Sequence, residues 1–482
     1  MKRSVIIKVE RDKLLKKTFI TGLIFFIISL CVCAEEAISL EDVLKLGLKN
    51  NKAIKEGEIE LKKAEIDLDS SRRAFYPEIS FSTSYTRLFL DDDGGTGIDI
   101  EPPDPARLDD QDMYLLDYIN KNMVSPIYGA FRAMQPYEDN YQTSISIQQP
   151  IYLGGKLRLA NKQAGKAFEL SEVQFNEKIN EVLFSIIQSY YGVLLAEERV
   201  KIEEEAFNLL REHKRIAEVS LEAGLSIKTD LLQVEIEESR AMYSLQTARN
   251  DLKMARKMLG NMIGHDLSKY SFLEPDFDYD PELDLELQYQ RARERRGEFK
   301  LLNINKEMLE LSLETESNPY LPVLVLIGNY QWQDNELSFD NGTGSITFSL
   351  SMNIFDKGLA KNTADKLRND LEKLKLQRSN LEEMIRLEIE DILLTIEENK
   401  NNMELQAMNL ERAQENLELE EKRYQAGTAT NIDVMNAQLV LKQTKISKIQ
   451  SEYQYQISVF QLLKNTGLLA EYFQEVVYYV ES

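Results

Sequence analysis

The stretch that most constrains this fold runs without proline from Lys357 to Ala426. Within it Ile396, Met403, Leu410, Leu417 and Tyr424 recur every seven residues in a background of Glu, Lys and Gln. A seven-residue apolar repeat marks a helix whose seam packs on other helices, and roughly seventy residues at about 1.5 Å rise span about 100 Å. Gly427-Thr428-Ala429-Thr430-Asn431 breaks the pattern, and a second helical tract runs to about Asn465. A copy stands 203 positions earlier. Val193, Val200, Phe207 and Leu221 replace the seam residues, with Lys214 as the exception, and Gly224 and Asp230 match Gly427 and Asp433. The same offset carries Ile151 and Gly155 onto Ile354 and Gly358. The chain therefore holds a duplicated long helical hairpin.

Helices of that length do not make a compact core, so apolar residues must be buried laterally. The 482 residues carry a formal net charge of −23, with no basic stripe interleaved with aromatics, which argues against a nucleic-acid partner.

The amino-terminal segment reads as a secretory signal. Residues 2 to 17 hold seven Lys/Arg, an apolar core runs from Phe19 to Val32, and Val32-Cys33-Ala34 precedes Glu35-Glu36. The apolar core is short for a membrane span. Lipidation of Cys31 or Cys33 fits poorly, because Leu30 and Val32 stand where a small residue is wanted. Cleavage after Ala34 leaves no cysteine and 51 Lys/Arg against 79 Asp/Glu, a formal charge of −28. No further run of eighteen apolar residues follows, so no helical membrane span is expected.

Ser39-x-x-Asp42 is a helix cap, and that helix ends at Tyr76-Pro77. Ile79, Phe81, Thr83 and Tyr85 then alternate with Ser80, Ser82, Ser84 and Thr86. Residues 91–139 form an acidic, proline-rich loop. From Tyr141 the alternation resumes, ending at Pro150 before Gly154-Gly155. For a single hairpin, a half-buried soluble sheet and a membrane hairpin explain the pattern about equally. The second half tilts the balance. Leu321 to Tyr330 is apolar almost throughout, and Ile346, Phe348, Leu350, Met352 and Ile354 alternate with Ser345, Thr347, Ser349, Ser351 and Asn353. A ten-residue strand with one hydroxyl-rich face and one large apolar face has the pattern of a membrane β-strand. Four strands cannot close a barrel, whereas three chains pooling four strands supply twelve.

Catalytic ingredients are lacking. His213 and His265 are the only histidines, and His213 shares a seam spacing that reads as packing. No His/Cys cluster suggests a metal or cofactor, and the glycine pairs lack the Lys and Ser of a phosphate loop. No catalytic residue, cofactor or metal ligand is assigned. The competing reading is a periplasmic or secreted coiled-coil spacer.

The motifs resemble the TolC family of outer-membrane efflux factors over about Ser39 to Gly467. They are Ser39-Leu40-x-x-Val43-x-x-x-Gly47-Leu48-x-x-Asn51 and Tyr76-Pro77, then Gly154-Gly155 and Lys357-Gly358. The most specific is Arg423-Tyr424-x-x-Gly427-Thr428-x-x-x-x-Asp433-Val434-x-x-Ala437-Gln438, with Glu222-Ala223-Gly224 and Asp230 as its partner. The resemblance implies a mixed α/β membrane protein. Its homotrimer would form a 12-stranded outer-membrane β-barrel, four strands per chain, continued by a periplasmic α-helical coiled-coil barrel with internal two-fold duplication. It implies outer-membrane lipid, a periplasmic adaptor and an inner-membrane pump of RND, ABC or MFS type as partners.

On that reading residues 1–34 are the signal peptide and 35–78 the first periplasmic helix. Residues 79–152 are a membrane β-hairpin with outer loop 91–139, and 153–270 a helical hairpin with its tip at 223–229. Residues 271–321 are linker and helix, 322–355 the second β-hairpin, 356–466 the second helical hairpin with its tip at 426–431, and 467–482 the tail. Pro77, Gly154, Gly155 and Gly358 are structural turns. Gly224, Leu225, Ser226, Gly427, Thr428 and Ala429 are expected at the adaptor-facing tips. The family's periplasmic constriction, lined by two aspartates three residues apart, maps to Asp433 and Asn436, with Asp230 as the first-repeat candidate. Mutual repulsion across such a ring is expected to raise the carboxylate pKa values.

Overall fold

The computed structural model describes residues 36–87, 110–119, 121–122, 139–224, 227–277, 279–474 and 476–477. The signal segment, most of loop 91–139, Leu225 and Ser226 lie outside these. In chain order the elements are β1 (Glu36–Ile38), α1 (Leu40–Asn50), α2 (Lys52–Arg73), β2 (Glu78–Arg87), α3 (Asp110–Ile119), β3 (Asp139–Leu153), α4 (Lys156–Glu222) and α5 (Lys228–Ile263). There follow β4 (Tyr270–Phe272), α6 (Leu285–Arg295), α7 (Gly297–Ser317), β5 (Val323–Asp334), β6 (Thr343–Ser351), α8 (Leu359–Gln425), α9 (Asn431–Asn465) and α10 (Leu469–Tyr472).

The duplication is deeper than the spacing of 203 reveals. Helices α4 and α8 are each 67 residues long and begin 203 positions apart, as do α5 and α9. The helices before the strands repeat at 245 instead. The 11-residue α1 and α6 are capped by Ser39 and Asp284, and both end in an extended residue with ψ 133°, Asn51 and Arg296. The offset falls from 245 to 203, a difference of 42, because the first strand hairpin has the longer connection. Two expectations change here. The single helix expected from Ser39 to Tyr76 is two helices, because Asn51 turns the chain out of the helix: its Oδ1 accepts from Ala53 N–H at 2.8 Å, and its Nδ2 donates to Met262 O at 2.9 Å. The segment 91–139, expected as loop, contains α3.

The chain divides into two units. One comprises the residues up to Glu65, Lys166–Glu307 and Leu371 onward. Its core sets Val43, Leu44 and Leu48 of α1 against Leu183, Ile186, Ile187 and Tyr190 of α4, with Ile263, Phe272 and Phe460 closing it. The Tyr190 hydroxyl donates to Leu273 O at 2.6 Å and reaches Ile38 O at 3.1 Å, tying down the short parallel pair β1–β4. One window of α4 is apolar enough for a membrane span, with mean hydropathy 1.3, but 56% of it is buried within the fold. A second cluster sets Ile385, Ile389, Ile392 and Ile396 of α8 against Phe299 of α7 and Leu462 of α9.

Contacts order the long helices side by side as α5–α4–α9–α8. Helix α4 is bridged to α5 by Arg256–Glu197 at 2.6 Å and Lys214–Glu238 at 2.9 Å. It meets α9 through Glu203–Lys442 at 3.2 Å and Glu205–Lys445 at 2.9 Å. The Asn465 amide of α9 donates to Glu388 of α8 at 3.1 Å.

The other unit, Ile66–Gly165 and Met308–Asp370, holds an antiparallel sheet in the order β2–β3–β5–β6. The repeats meet at β3–β5, leaving β2 and β6 as edges. Asn161 of α4 donates to Ser71 of α2 at 2.8 Å, and Gln163 to Ser312 of α7 at 2.8 Å.

Candidate functional site

In a paired sheet, residues directly opposite share a face. Register places Ile79, Phe81 and Tyr85 opposite Ile147, Ile145 and Tyr141, and sets Ile145 opposite Tyr330. Leu324, Leu326 and Gly328 then face Leu350, Phe348 and Ile346. One continuous apolar face results, exposed at both edges: Ile346, Phe348 and Leu350 are 76%, 69% and 71% accessible. The opposite face carries Ser82 hydrogen-bonded to Ser144 at 2.9 Å, then Ser146, Asn329, Gln331 and Ser345.

A register shift between Pro150 and Tyr152 adds one residue and turns Tyr152 to the face of Leu324. Tyr141 and Tyr152 are eleven positions apart, about 36 Å of strand at 3.3 Å per residue, or about 25 Å of height at a 45° tilt. Such apolar height between aromatic rows matches the hydrocarbon band that outer-membrane barrels cross. The aromatic row beside the β2–β3 and β5–β6 connections is dense: Tyr85–Tyr141 and Tyr330–Trp332 ring centroids are 4.7 Å apart, and Phe339 stands 5.5 Å from Trp332. The last strand, expected to run to Ile354, ends at Ser351, with Met352, Ile354 and Phe355 exposed beyond it.

The hairpin tips are built from backbone requirements. Gly224 and Gly427 both have φ +72°, a conformation that costs a side-chain-bearing residue about 1–2 kcal/mol. At Gly427 the N–H donates to Tyr424 O at 2.9 Å and the Thr428 N–H to Arg423 O at 2.8 Å, the paired bonds that close a helix end on glycine. The Thr428 hydroxyl and the Ala429 N–H share the Arg423 carbonyl at 3.0 and 3.3 Å. Helix α9 then starts on Thr430, which forms a capping box with Asp433.

Asp433 is thus placed by the helix start. Its Oδ2 accepts from Thr430 N–H at 2.8 Å and from Thr430 Oγ1 at 2.7 Å. The Thr430 hydroxyl, then its backbone N–H, hold the carboxyl below the usual aspartate range. Within the chain the shift is the reverse of the rise expected for a ring of repelling carboxylates. Asn436 stands one turn further on and is exposed like Asp433. Asp230 occupies the first turn of α5, whose N-cap Ile227 makes no side-chain cap bond. Gly154, Gly155 and Gly358 have φ of +61°, +78° and +80° at the strand-to-helix entries. Pro77 directly precedes β2.

His213 lies with Nε2 3.1 Å from Gln438 Nε2 between α4 and α9, a packing position. Among the described residues, no group of three or more His, Cys, Asp or Glu could hold a metal ion. One polar junction escaped the sequence reading. The Glu177 carboxylate of α4 accepts the Gly297 N–H at 3.0 Å, beside Arg296, which grips Glu298 at 2.6 Å and Glu388 at 2.7 Å. Burial, then the neighbouring Glu298 charge, push the Glu177 carboxyl up, while Glu298 is held low by Arg296 against its own burial.

Comparison with known proteins agrees with this architecture. The chain is 21% identical over 360 residues to the alkaline protease secretion protein AprF of Pseudomonas aeruginosa, covering 72% of this chain and 74% of the relative. It is 21% identical over 378 residues to the outer membrane efflux protein BepC of Brucella suis, covering 75% and 80%. Its fold matches the CmeC outer membrane channel of Campylobacter jejuni with a TM-score of 0.69 at 16% identity, over 91% of this chain and 89% of that one. The outer membrane protein VceC of Vibrio cholerae matches with a TM-score of 0.66 at 14% identity, over 89% and 96%. The family described as Outer membrane efflux protein matches residues 43–265 and 288–468, most of the sequence, and the chain belongs to that family.

Proposed function

We propose that the chain is the outer-membrane exit duct of a tripartite efflux or type I secretion system, working as a homotrimer. The observation that carries the reading is the four-stranded sheet with one exposed apolar face, one hydroxyl- and amide-rich face and two open edges. In hydrocarbon an unpaired backbone group costs several kcal/mol, so the edges require partners. Three copies supply twelve strands, with β6 of one chain pairing with β2 of the next. The polar face then lines an aqueous lumen, and the coiled-coil hairpins continue the barrel into the periplasm. The family membership and the names of AprF and BepC support export as the task, and a coiled-coil spacer has no use for the lipid-facing sheet.

In this reading loop 91–139 and residues 334–344 face outward. The tips carrying Gly224, Leu225, Ser226, Gly427, Thr428 and Ala429 meet a periplasmic adaptor, which links the duct to an RND, ABC or MFS pump. Rings of Asp433, Asn436 and Asp230 line the periplasmic mouth, where the two carboxylate rings favour cations and Asn436 stands in place of a further charge. The test is native mass measurement in detergent on carbonate-washed outer membranes, followed by conductance in planar bilayers. A stable trimer with cation-preferring conductance is expected. A membrane-inserted monomer would sink the proposal.

A further inference from the structure

Along the long helices many cations are answered by an acid three or four positions away: Arg215–Glu212 and Arg240–Glu237 at 2.6 Å, Lys375–Glu372 at 2.7 Å. The second half of α5 breaks this habit. From Ser239 to Ile263 the only acid is Asp251, and it pairs with Arg199 of α4 at 3.6 Å. Arg249, Lys253, Arg256 and Lys257 have no acid three or four positions away. Arg249–Lys253 and Lys253–Lys257 are instead like-charged neighbours, which costs helix stability. The helix dipole does not account for them, because its effect fades beyond the last turn, and that turn of α5 holds no basic residue.

These four cations and Lys52, the first residue of α2, line one cavity of about 770 Å³ against the loop that follows α5. The two arginines are committed to α4, Arg249 to Glu204 at 3.1 Å and Arg256 to Glu197 at 2.6 Å. The three lysines are exposed, and no hydrogen bond or ion pair of their side chains is found among the described residues. Asp266 is the one acid in the cavity wall among those residues, and it does not answer them. Its carboxylate accepts from the Ser268 N–H at 3.0 Å and the Ser268 hydroxyl at 3.1 Å, within its own turn. Three cations in one cavity thus lack a counter-charge, in a chain of net charge −23.

We propose that this cavity binds a ligand carrying a pyrophosphate or two neighbouring phosphate groups, held by Lys52, Lys253 and Lys257. Three free ammonium groups call for a multiply charged anion rather than a single carboxylate. Which cations are free decides the chemistry further. A guanidinium forks onto a planar carboxylate, and both guanidiniums here already face glutamates. An ammonium is a point charge with three rotatable donors, which suits a tetrahedral phosphate. Leu252 and Leu267 in the same wall offer an apolar surface to whatever carries the phosphates. A soluble phosphoester and a lipid headgroup present the same chemistry to the lysines. The site goes beyond the duct reading, since none of its residues belongs to the sheet, the tips or the mouth.

The test is calorimetric titration of inorganic pyrophosphate into the full chain, held in nanodiscs of neutral phosphatidylcholine at low salt, where screening is weak. Saturable binding is expected, and Lys253→Gln with Lys257→Gln should weaken it by about tenfold or more. Lys361→Gln with Lys373→Gln removes the same charge from α8 and should leave binding at parental strength. Nanodiscs containing cardiolipin, which carries two phosphates, separate the sources. Pyrophosphate binding lost only in those discs supports a lipid headgroup as the ligand, and binding unchanged there supports a soluble phosphate. Absence of saturable binding, or equal weakening by the α8 pair, overturns the site. Loss of oligomer by native mass in the Lys253/Lys257 variant would show that a second copy answers these lysines, and overturns it too. Conductance plays no part in the measurement, so failure of the site and failure of the duct reading are separate results.

Discussion

Thr430 and Asp433 hold each other at the start of α9: the threonine hydroxyl accepts from the Asp433 N–H at 3.3 Å, and the Asp433 carboxylate receives the Thr430 N–H at 2.8 Å. The same carboxylate is the leading gate candidate, so cap and gate must be separated experimentally. Both Thr430→Ala and Asp433→Ala open the capping box, the first at a cost of about 1 kcal/mol. Only the second removes a charge. With millimolar divalent cations on the periplasmic side of a planar bilayer, Asp433→Ala should relieve block and weaken cation preference while Thr430→Ala leaves both unchanged. Equal behaviour of the two variants would make Asp433 a cap alone. The lowered pKa carries a sign as well: stability from this carboxylate is present above pH 3.8 and is lost as pH falls through the folded value.

Gly427 has nothing within 4 Å of the space a Cβ would fill, so Gly427→Ala meets backbone strain and no neighbour. The strain, about 1–2 kcal/mol, falls on the turn itself. Crosslinking of the tip to a periplasmic adaptor should drop, while trimers recovered from the membrane remain at parental yield. Loss of the trimer would assign the glycine to architecture alone.

The Glu177–Gly297 contact gives a pH dependence. A carboxyl raised in the folded state stabilises the fold when protonated. That contribution is complete below the unfolded value near pH 4.5 and is lost as pH rises through the folded value. Glu177→Gln keeps an oxygen for the Gly297 N–H and removes the titration. Raising the pH from about 4 to 7 should therefore lower the melting temperature of the parent relative to Glu177→Gln. Parallel melting curves for the two proteins would refute the assignment. Gly297→Ala should destabilise both, because its Cβ would run into the Glu177 side chain.

How much of this was legible in the sequence depended on whether a signal was local and periodic. The heptad seam through Ile396 and the alternation through Phe348 fixed helix and strand types, because both periods report burial on one face. The helix-to-helix turn at Asn51 was missed because its cause is tertiary, an amide reaching Met262 O from 211 residues away. The second offset of 245 was hidden by the longer first connection, which moves the α1–α6 match off the α4–α8 diagonal. Glu177 carried no local signal, being one of 81 acidic residues until Gly297 is brought to it. The capping box of Asp433, by contrast, is written in Thr430-x-x-Asp433.

Neighbouring residues on β6 offer the sharpest check of which face meets lipid. Phe348 is opposite Leu326 and Ser349 opposite Val325, so the two side chains point to opposite faces of the sheet. If the apolar face lies in hydrocarbon, a cation at Phe348 must be desolvated near mid-membrane, at about 2–4 kcal/mol per chain. At Ser349 the same cation projects into water and costs little. Three chains multiply the first penalty, since the edge strand recurs in each. Phe348→Arg should therefore cut the amount of heat-stable oligomer in outer membranes by an order of magnitude or more. Ser349→Arg should assemble at parental level and shift conductance away from cations, because it adds three positive charges to the lumen. The opposite ranking, with Ser349→Arg failing to assemble and Phe348→Arg tolerated, would turn the sheet inside out and remove the physical basis for a water-filled barrel.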